Sequence, residues 1–137
     1  LPFYSQRSVV QDLGDGKLER WRRLAKSAAA QCDRRDVPDV HAPMTFEALL
    51  ARCAEYDVVL MPWERAEAGP LREVLPAWLA AAHTALVIVG PEGGFSAEEA
   101  ELGRAAGARL VSLGERILRS ETAGLAMLAI LDYASSV

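Results

Sequence analysis

Cysteine and histidine are scarce in this chain, with two of each among 137 residues. Cys32 and Cys53 stand far apart, form no C-x-x-C pair and have no histidine at ligand spacing, so neither a zinc site nor a disulfide framework is expected. Both cysteines should pack as small reduced hydrophobes. Long apolar runs are missing too. The longest, Leu125 to Leu131, falls far short of the ~20 residues a membrane-spanning helix needs. Leu1 to Gln6 lacks the basic-then-apolar pattern of a signal peptide. No repeat and no low-complexity tract occurs. These absences exclude membrane and secreted classes and predict a soluble, cytosolic protein without a metal. The chain is too short for two well-packed domains, and 51% hydrophobic residues exclude wholesale disorder. Because it opens at Leu1 and not at a methionine, it is expected to be the later part of a longer protein.

Positive charge is also in deficit: 15 Lys and Arg stand against 19 Asp and Glu, a net charge of -4. A surface coated with phosphate-binding charge is excluded. The deficit is uneven. Residues 1–36 carry eight Lys/Arg against five Asp/Glu, a net of +3, while residues 37–137 carry seven against fourteen, a net of -7. A polyanion would therefore meet the N-terminal portion.

What is present is an alternation of helical and strand patterns. Ser8-Val9-Val10 suits a short strand. Leu18, Trp21, Ala25, Ala28 and Cys32 recur at spacings of three and four, one buried helical stripe ending near Asp36 to Pro38. Arg20, Arg22, Arg23 and Lys26 fall on its other faces as a solvated surface. Thr45 is placed to cap a second helix through Ala54, with Phe46, Leu49, Leu50 and Cys53 inward. Asp57 to Met61 is a buried strand stopped by Pro62. Trp63 to Pro70 is a polar loop. Because an interior proline costs about 3 kcal/mol, the next helix is expected to start near Pro76. Ala85 to Val89 is a strand running into Gly90-Pro91-Glu92-Gly93-Gly94. Ser96 and Glu99 form a capping box for a helix that Gly107 ends. Ala108 to Leu113 is a strand, and Glu121 to Tyr133 a last helix, apolar nearly all round and so short of a partner on one side.

Apolar strands alternating with helices define an α/β protein with a parallel sheet covered on both faces. In such sheets ligands sit beyond the carboxyl ends of the strands. Those ends are Leu60 to Trp63, Gly90 to Gly94 and Leu113 to Arg119. A glycine turn before a helix first suggests phosphate. Here it carries Glu92 and no lysine, matches neither nucleotide-loop pattern, and precedes three more glutamates, so a neutral or cationic ligand suits it better. Taken alone, Gly93 and Gly94 need do no more than permit a tight turn.

Two stretches carry a closer resemblance. Ile88-Val89-Gly90-Pro91-Glu92-Gly93-Gly94-Phe95-Ser96, followed by Val111-Ser112-Leu113-Gly114-Glu115-Arg116-Ile117-Leu118-Arg119-Ser120-Glu121-Thr122-Ala123, resembles the RsmE family of 16S ribosomal RNA uridine-N3 methyltransferases, members of the SPOUT class. Ser5-Gln6-Arg7-Ser8, Lys17 to Trp21 and Gln31 to Arg34 extend the likeness over nearly the whole chain. Departures are Ala30, where many relatives carry a charge, and Gly124, where alanine is usual.

The resemblance implies a C-terminal deep trefoil knot, and S-adenosylmethionine held by Leu60, Met61, Val89, Gly90, Pro91, Glu92, Gly93, Gly94, Ser112, Leu113, Gly114, Ile117, Leu118, Arg119 and Thr122. It implies a homodimer that covers the last helix, a 16S rRNA substrate in the 30S subunit, and a PUA-like N-terminal RNA-binding domain with no counterpart here. Uracil N3 bears a proton at neutral pH and must lose it during methylation. Arg119 is the candidate to hold a uracil carbonyl and stabilise the developing anion. Glu121, then Glu92, is the candidate base. Arg7 and Arg34 are the RNA-facing candidates. The competing reading of Arg119 and Glu121 is an ion pair or helix cap. His41 and His83 are assigned to surface or structural positions, and the three tryptophans to core or interface. A ribose 2'-O SPOUT enzyme or a non-catalytic RNA-binding or dimerisation module would share the fold.

Overall fold

The computed structural model describes residues 1–8, 14–67 and 71–135. The fold is organised by β3 (Val58–Pro62), whose first four residues are all buried. An unbroken apolar run suits a strand covered on both faces, and each such side chain contributes about 1.5–3 kcal/mol on burial. β3 is the middle of a parallel sheet, flanked by β4 (Ala85–Val87) and β5 (Arg109–Val111). Val59 registers with Leu86, and Met61 with Leu110.

The pleat then sorts the core. Val59 and Met61 pack with Phe46 and Leu49 of α2 (Phe46–Ala51), with Phe95, and with Ala100 of α4 (Ala97–Ala105). Val58 and Leu60 pack with Leu75 of α3 (Leu71–Leu79) and Met127 of α5 (Ser120–Ser135). Helices cover both faces, as the alternation predicts. α4 lies close because Gly103 has no side chain: a Cβ there would fall 2.5 Å from Met61 Sδ. At the amino end of β3, Asp57 accepts hydrogen bonds from the His83 and Thr84 amides (2.8 and 2.9 Å) and from the Thr84 hydroxyl (3.0 Å). These donors hold its carboxyl below the usual carboxylate range.

Several expectations need correction. The first strand is β1 (Phe3–Tyr4), paired in parallel with β2 (Met44–Thr45). Ser8 instead closes a turn on the Ser5 carbonyl, and Val9 and Val10 lie outside the described residues. Phe3 was the better strand residue because its ring packs on Phe46 and Phe95. α1 (Asp15–Gln31) stops before the proline, where Asp33 takes a left-handed φ of 55°. Its inward residues are Leu18, Trp21, Ala25 and Ala29, so Ala28 and Cys32 face solvent. Cys53 is buried as expected, and burial pushes its thiol pKa up. α2 is capped by Thr45, which accepts from the Ala48 amide, but gives way after Ala51 to a 3-10 turn, Cys53–Glu55.

α3 runs through Pro76 and does not begin there. The ring sits on the exposed side, while Leu75 is buried and Leu71, Trp78 and Leu79 join the same apolar cluster. Packing of the amphipathic face outweighs the lost hydrogen bond. β4 and β5 are shorter than the apolar runs, although the Ile88 amide still bonds to the Leu60 carbonyl beyond β4.

Candidate functional site

The capping box that opens α4 is formed: Ser96 Oγ accepts from the Glu99 amide (3.1 Å), and Glu99 Oε2 accepts from the Ser96 amide (2.9 Å). This fixes where the glycine loop must end. Within the loop the Gly94 amide bonds to the Pro91 carbonyl at 2.8 Å, and Gly94 takes a φ of +66°, which a side chain would resist. The Phe95 ring folds back on Gly90, where a Cβ would lie 3.1 Å from it. Trp63, just past β3, donates its indole N–H to the Phe95 carbonyl at 3.3 Å. Beyond β5, Ser112 Oγ accepts from the Gly114 amide at 3.2 Å and curls the third strand end into a turn.

The three ends enclose one cavity of about 320 Å³. β3 contributes Pro62, Trp63 and Glu64; the glycine loop contributes Val89 to Phe95; the third loop contributes Ser112 to Leu118, with Ser120 and Ala123 from α5. Backbone amides and carbonyls of the two loops meet apolar Val89, Leu113, Ile117 and Leu118. Glu64, Glu92 and Glu115 face a single cation, Arg116, among the lining residues. That balance opposes a phosphate and suits a neutral or cationic ligand with a flat apolar part.

Of the expected cofactor contacts, Val89, Gly90, Pro91, Glu92, Gly93, Gly94, Ser112, Leu113, Gly114, Ile117 and Leu118 all line this cavity. Leu60 and Met61 do not. Both are fully buried inside the sheet, on opposite faces, and the cavity begins one residue later at Pro62. Arg119, Glu121 and Thr122 also stand outside the lining, exposed at the start of α5, where the Arg119 carbonyl accepts from the Ala123 amide at 2.8 Å. Arg119 and Glu121 form no ion pair with each other among the described residues. Arg34 is exposed beyond α1. Arg7 is not simply a surface cation: its guanidinium donates to the Gly93 carbonyl at 2.9 Å.

Sequence reasoning missed Pro62, Trp63, Glu64, Phe95, Glu115, Arg116, Ser120 and Ala123 as lining residues. Glu64 carried a usable signal, since it follows directly on the predicted end of β3. Its carboxylate lies beside Gly94, where a Cβ would be 3.5 Å from Oε2.

A parallel sheet with glycine loops joined over the ends of its strands defines the class, and the chain belongs to the RNA methyltransferase domain family, whose match covers residues 1–132. Its named relatives are more particular. It is 33% identical over 129 residues to ribosomal RNA small subunit methyltransferase E of Mesomycoplasma hyopneumoniae, covering 93% of this chain and 54% of that protein. To the Bacillus subtilis protein of the same name it is 35% identical over 140 residues, covering 97% and 54%. Among solved structures, ribosomal RNA small subunit methyltransferase E from Neisseria gonorrhoeae, bound to S-adenosyl methionine, matches with a TM-score of 0.82 and 32% identity over 96% of this chain and 53% of that one. A Legionella pneumophila methyltransferase in complex with the cofactor SAM matches with a TM-score of 0.86 and 29% identity over 97% and 54%. The chain thus spans about half the length of the curated relatives it matches. Among the described residues no group of three or more His, Cys, Asp or Glu is placed to hold a metal, and no helix is long and apolar enough to cross a membrane.

Proposed function

We propose that this chain is the catalytic domain of a 16S rRNA methyltransferase of the RsmE type, binding S-adenosylmethionine and acting on N3 of a uridine in the small ribosomal subunit. The observation that carries the reading is the single cavity shared by the glycine loop and the Ser112 to Leu118 loop. It is supported by relatives bearing that name and by neighbours solved with the cofactor. The residues fit the group. Loop amides and carbonyls suit an adenine and its ribose, Val89, Leu113 and Leu118 suit the flat base, and the carboxylates of Glu64 and Glu92 suit a sulfonium charge.

When bound, S-adenosylmethionine supplies an electrophilic methyl group. The protein's task is to align the uracil and manage its proton, and alignment alone lowers such barriers by several kcal/mol. Arg119, at the edge of the cavity and without an ion-pair partner among the described residues, holds a uracil carbonyl and stabilises the negative charge that grows as N3 is deprotonated. Of the two candidate bases, Glu92 lines the cavity whereas Glu121 is exposed beside it, so the single-chain geometry favours Glu92 as proton acceptor. Arg34, and those Arg7 N–H groups not directed at Gly93, face the RNA.

The same reading includes a deep trefoil knot in the C-terminal half, a homodimer formed through the exposed apolar side of α5, and an RNA-docking domain outside this chain. Its place is the cytoplasm. The test is methyl transfer from labelled S-adenosylmethionine to 30S particles from cells lacking the enzyme, assayed with the full-length protein. Label at uridine N3 is expected; label on a ribose oxygen, or none, overturns the assignment.

A further inference from the structure

We propose that Arg7 is a positioning residue for the glycine loop, carried on a strap, the Ser5–Ser8 turn, that the buried Glu99 carboxylate fastens to α4. Its consequence for binding rests on the cofactor reading above; the contacts themselves do not.

The strap comes from the other end of the chain. Its turn is closed by the Ser8 amide on the Ser5 carbonyl (3.1 Å) and by the Ser5 amide on Ser8 Oγ (3.0 Å). Glu99 is 1% exposed and divides its two oxygens: Oε2 takes the Ser96 amide of the capping box, and Oε1 takes the Gln6 amide at 2.8 Å. A buried carboxylate is costly unless its oxygens are satisfied, and here the second acceptor is satisfied by the strap and not by the helix. The amino end of α4 also favours its charge.

Arg7, the next residue, lies directly on the loop. Its stem covers Gly93 so closely that a Cβ there would be 3.1 Å from Arg7 Cβ, and its guanidinium reaches the Gly93 carbonyl at 2.9 Å. The Gly93–Gly94 peptide is planar, so its carbonyl and its amide point in opposite directions. Arg7 holds the carbonyl, and the Pro91 carbonyl holds the Gly94 amide at 2.8 Å. The peptide is clamped from both sides. Two adjacent glycines rotate more freely than any other pair, and the positive φ of Gly94 depends on this plane being fixed. Arg7 therefore sets which loop groups face the cavity, although it does not line it.

The test has two arms. In amide hydrogen exchange on the unliganded chain, Arg7→Ala should accelerate exchange in a peptide spanning residues 88–96 by about three- to tenfold, the worth of one such bond, and leave α5 unchanged. Arg7→Lys, which keeps one donor, should recover part of the protection. Glu99→Gln, which keeps only one acceptor oxygen for two amides, should loosen the same peptide with Arg7 intact. In titrations with S-adenosylmethionine, Arg7→Ala should bind about three- to tenfold more weakly while the Lys variant lies between. Unchanged loop exchange in Arg7→Ala, or altered exchange with unaltered affinity, overturns the proposal. Wild-type chain that binds no S-adenosylmethionine removes the cofactor reading, and the exchange arm still decides the strap.

Discussion

Arg119 shows at the residue scale how far a motif can place a side chain. Its position at the end of the second motif was legible; its location outside the cavity wall, leading into α5, was not. Replacing it with alanine should lower the methyl-transfer rate by about 10²–10³-fold, the usual loss of one charge-stabilising donor, while calorimetry finds cofactor affinity within about twofold of wild type. Asp57 lends itself to a pH measurement. Its folded pKa is depressed, so the stability it contributes is present above the unfolded value and is lost as pH falls through the folded one. Thermal melts should show wild type more stable than Asp57→Asn at pH 7, with the gap closing below about pH 4. Leu60 and Met61 fall outside the cavity wall for a simple reason. A central strand buries the side chains along its middle, and only from its last residue, Pro62, does β3 line the cavity.

At the scale of elements, hydrophobic period and cap chemistry located most helices and strands. Thr45, the Ser96–Glu99 box and the Val58 to Met61 run all lie where local chemistry puts them. Features decided by tertiary contact were hidden. β1 is two residues long and is held by the Phe3, Phe46 and Phe95 rings, which no local pattern announces. α3 tolerates Pro76 because its opposite face buries Leu75. That tolerance has a measurable cost. Pro76→Ala restores a donor within α3 and should raise unfolding free energy by about 1–3 kcal/mol in urea titrations. An unchanged midpoint would mean that Pro76 costs α3 nothing.

The whole molecule leaves one surface unmatched. Leu125, Leu128 and Tyr133 of α5 are 70%, 64% and 77% exposed, and Ile117 ahead of it 84%. The all-round apolar pattern of α5 points to the same surface, and the proposed homodimer covers it. Light scattering should find twice the chain mass for wild type and one chain mass for Leu128→Glu. A monomeric wild type would remove the dimer from the account.

In the proposed function, loops from separate stretches of the chain jointly hold one methyl donor. Isothermal calorimetry with S-adenosylmethionine tests it most directly. Wild type should bind one molecule per chain, and Gly94→Val and Leu118→Asp, one from each loop and both shown folded by their melting curves, should each weaken binding at least about tenfold. Heat of binding absent from the wild type, or present and indifferent to either loop, would contradict it.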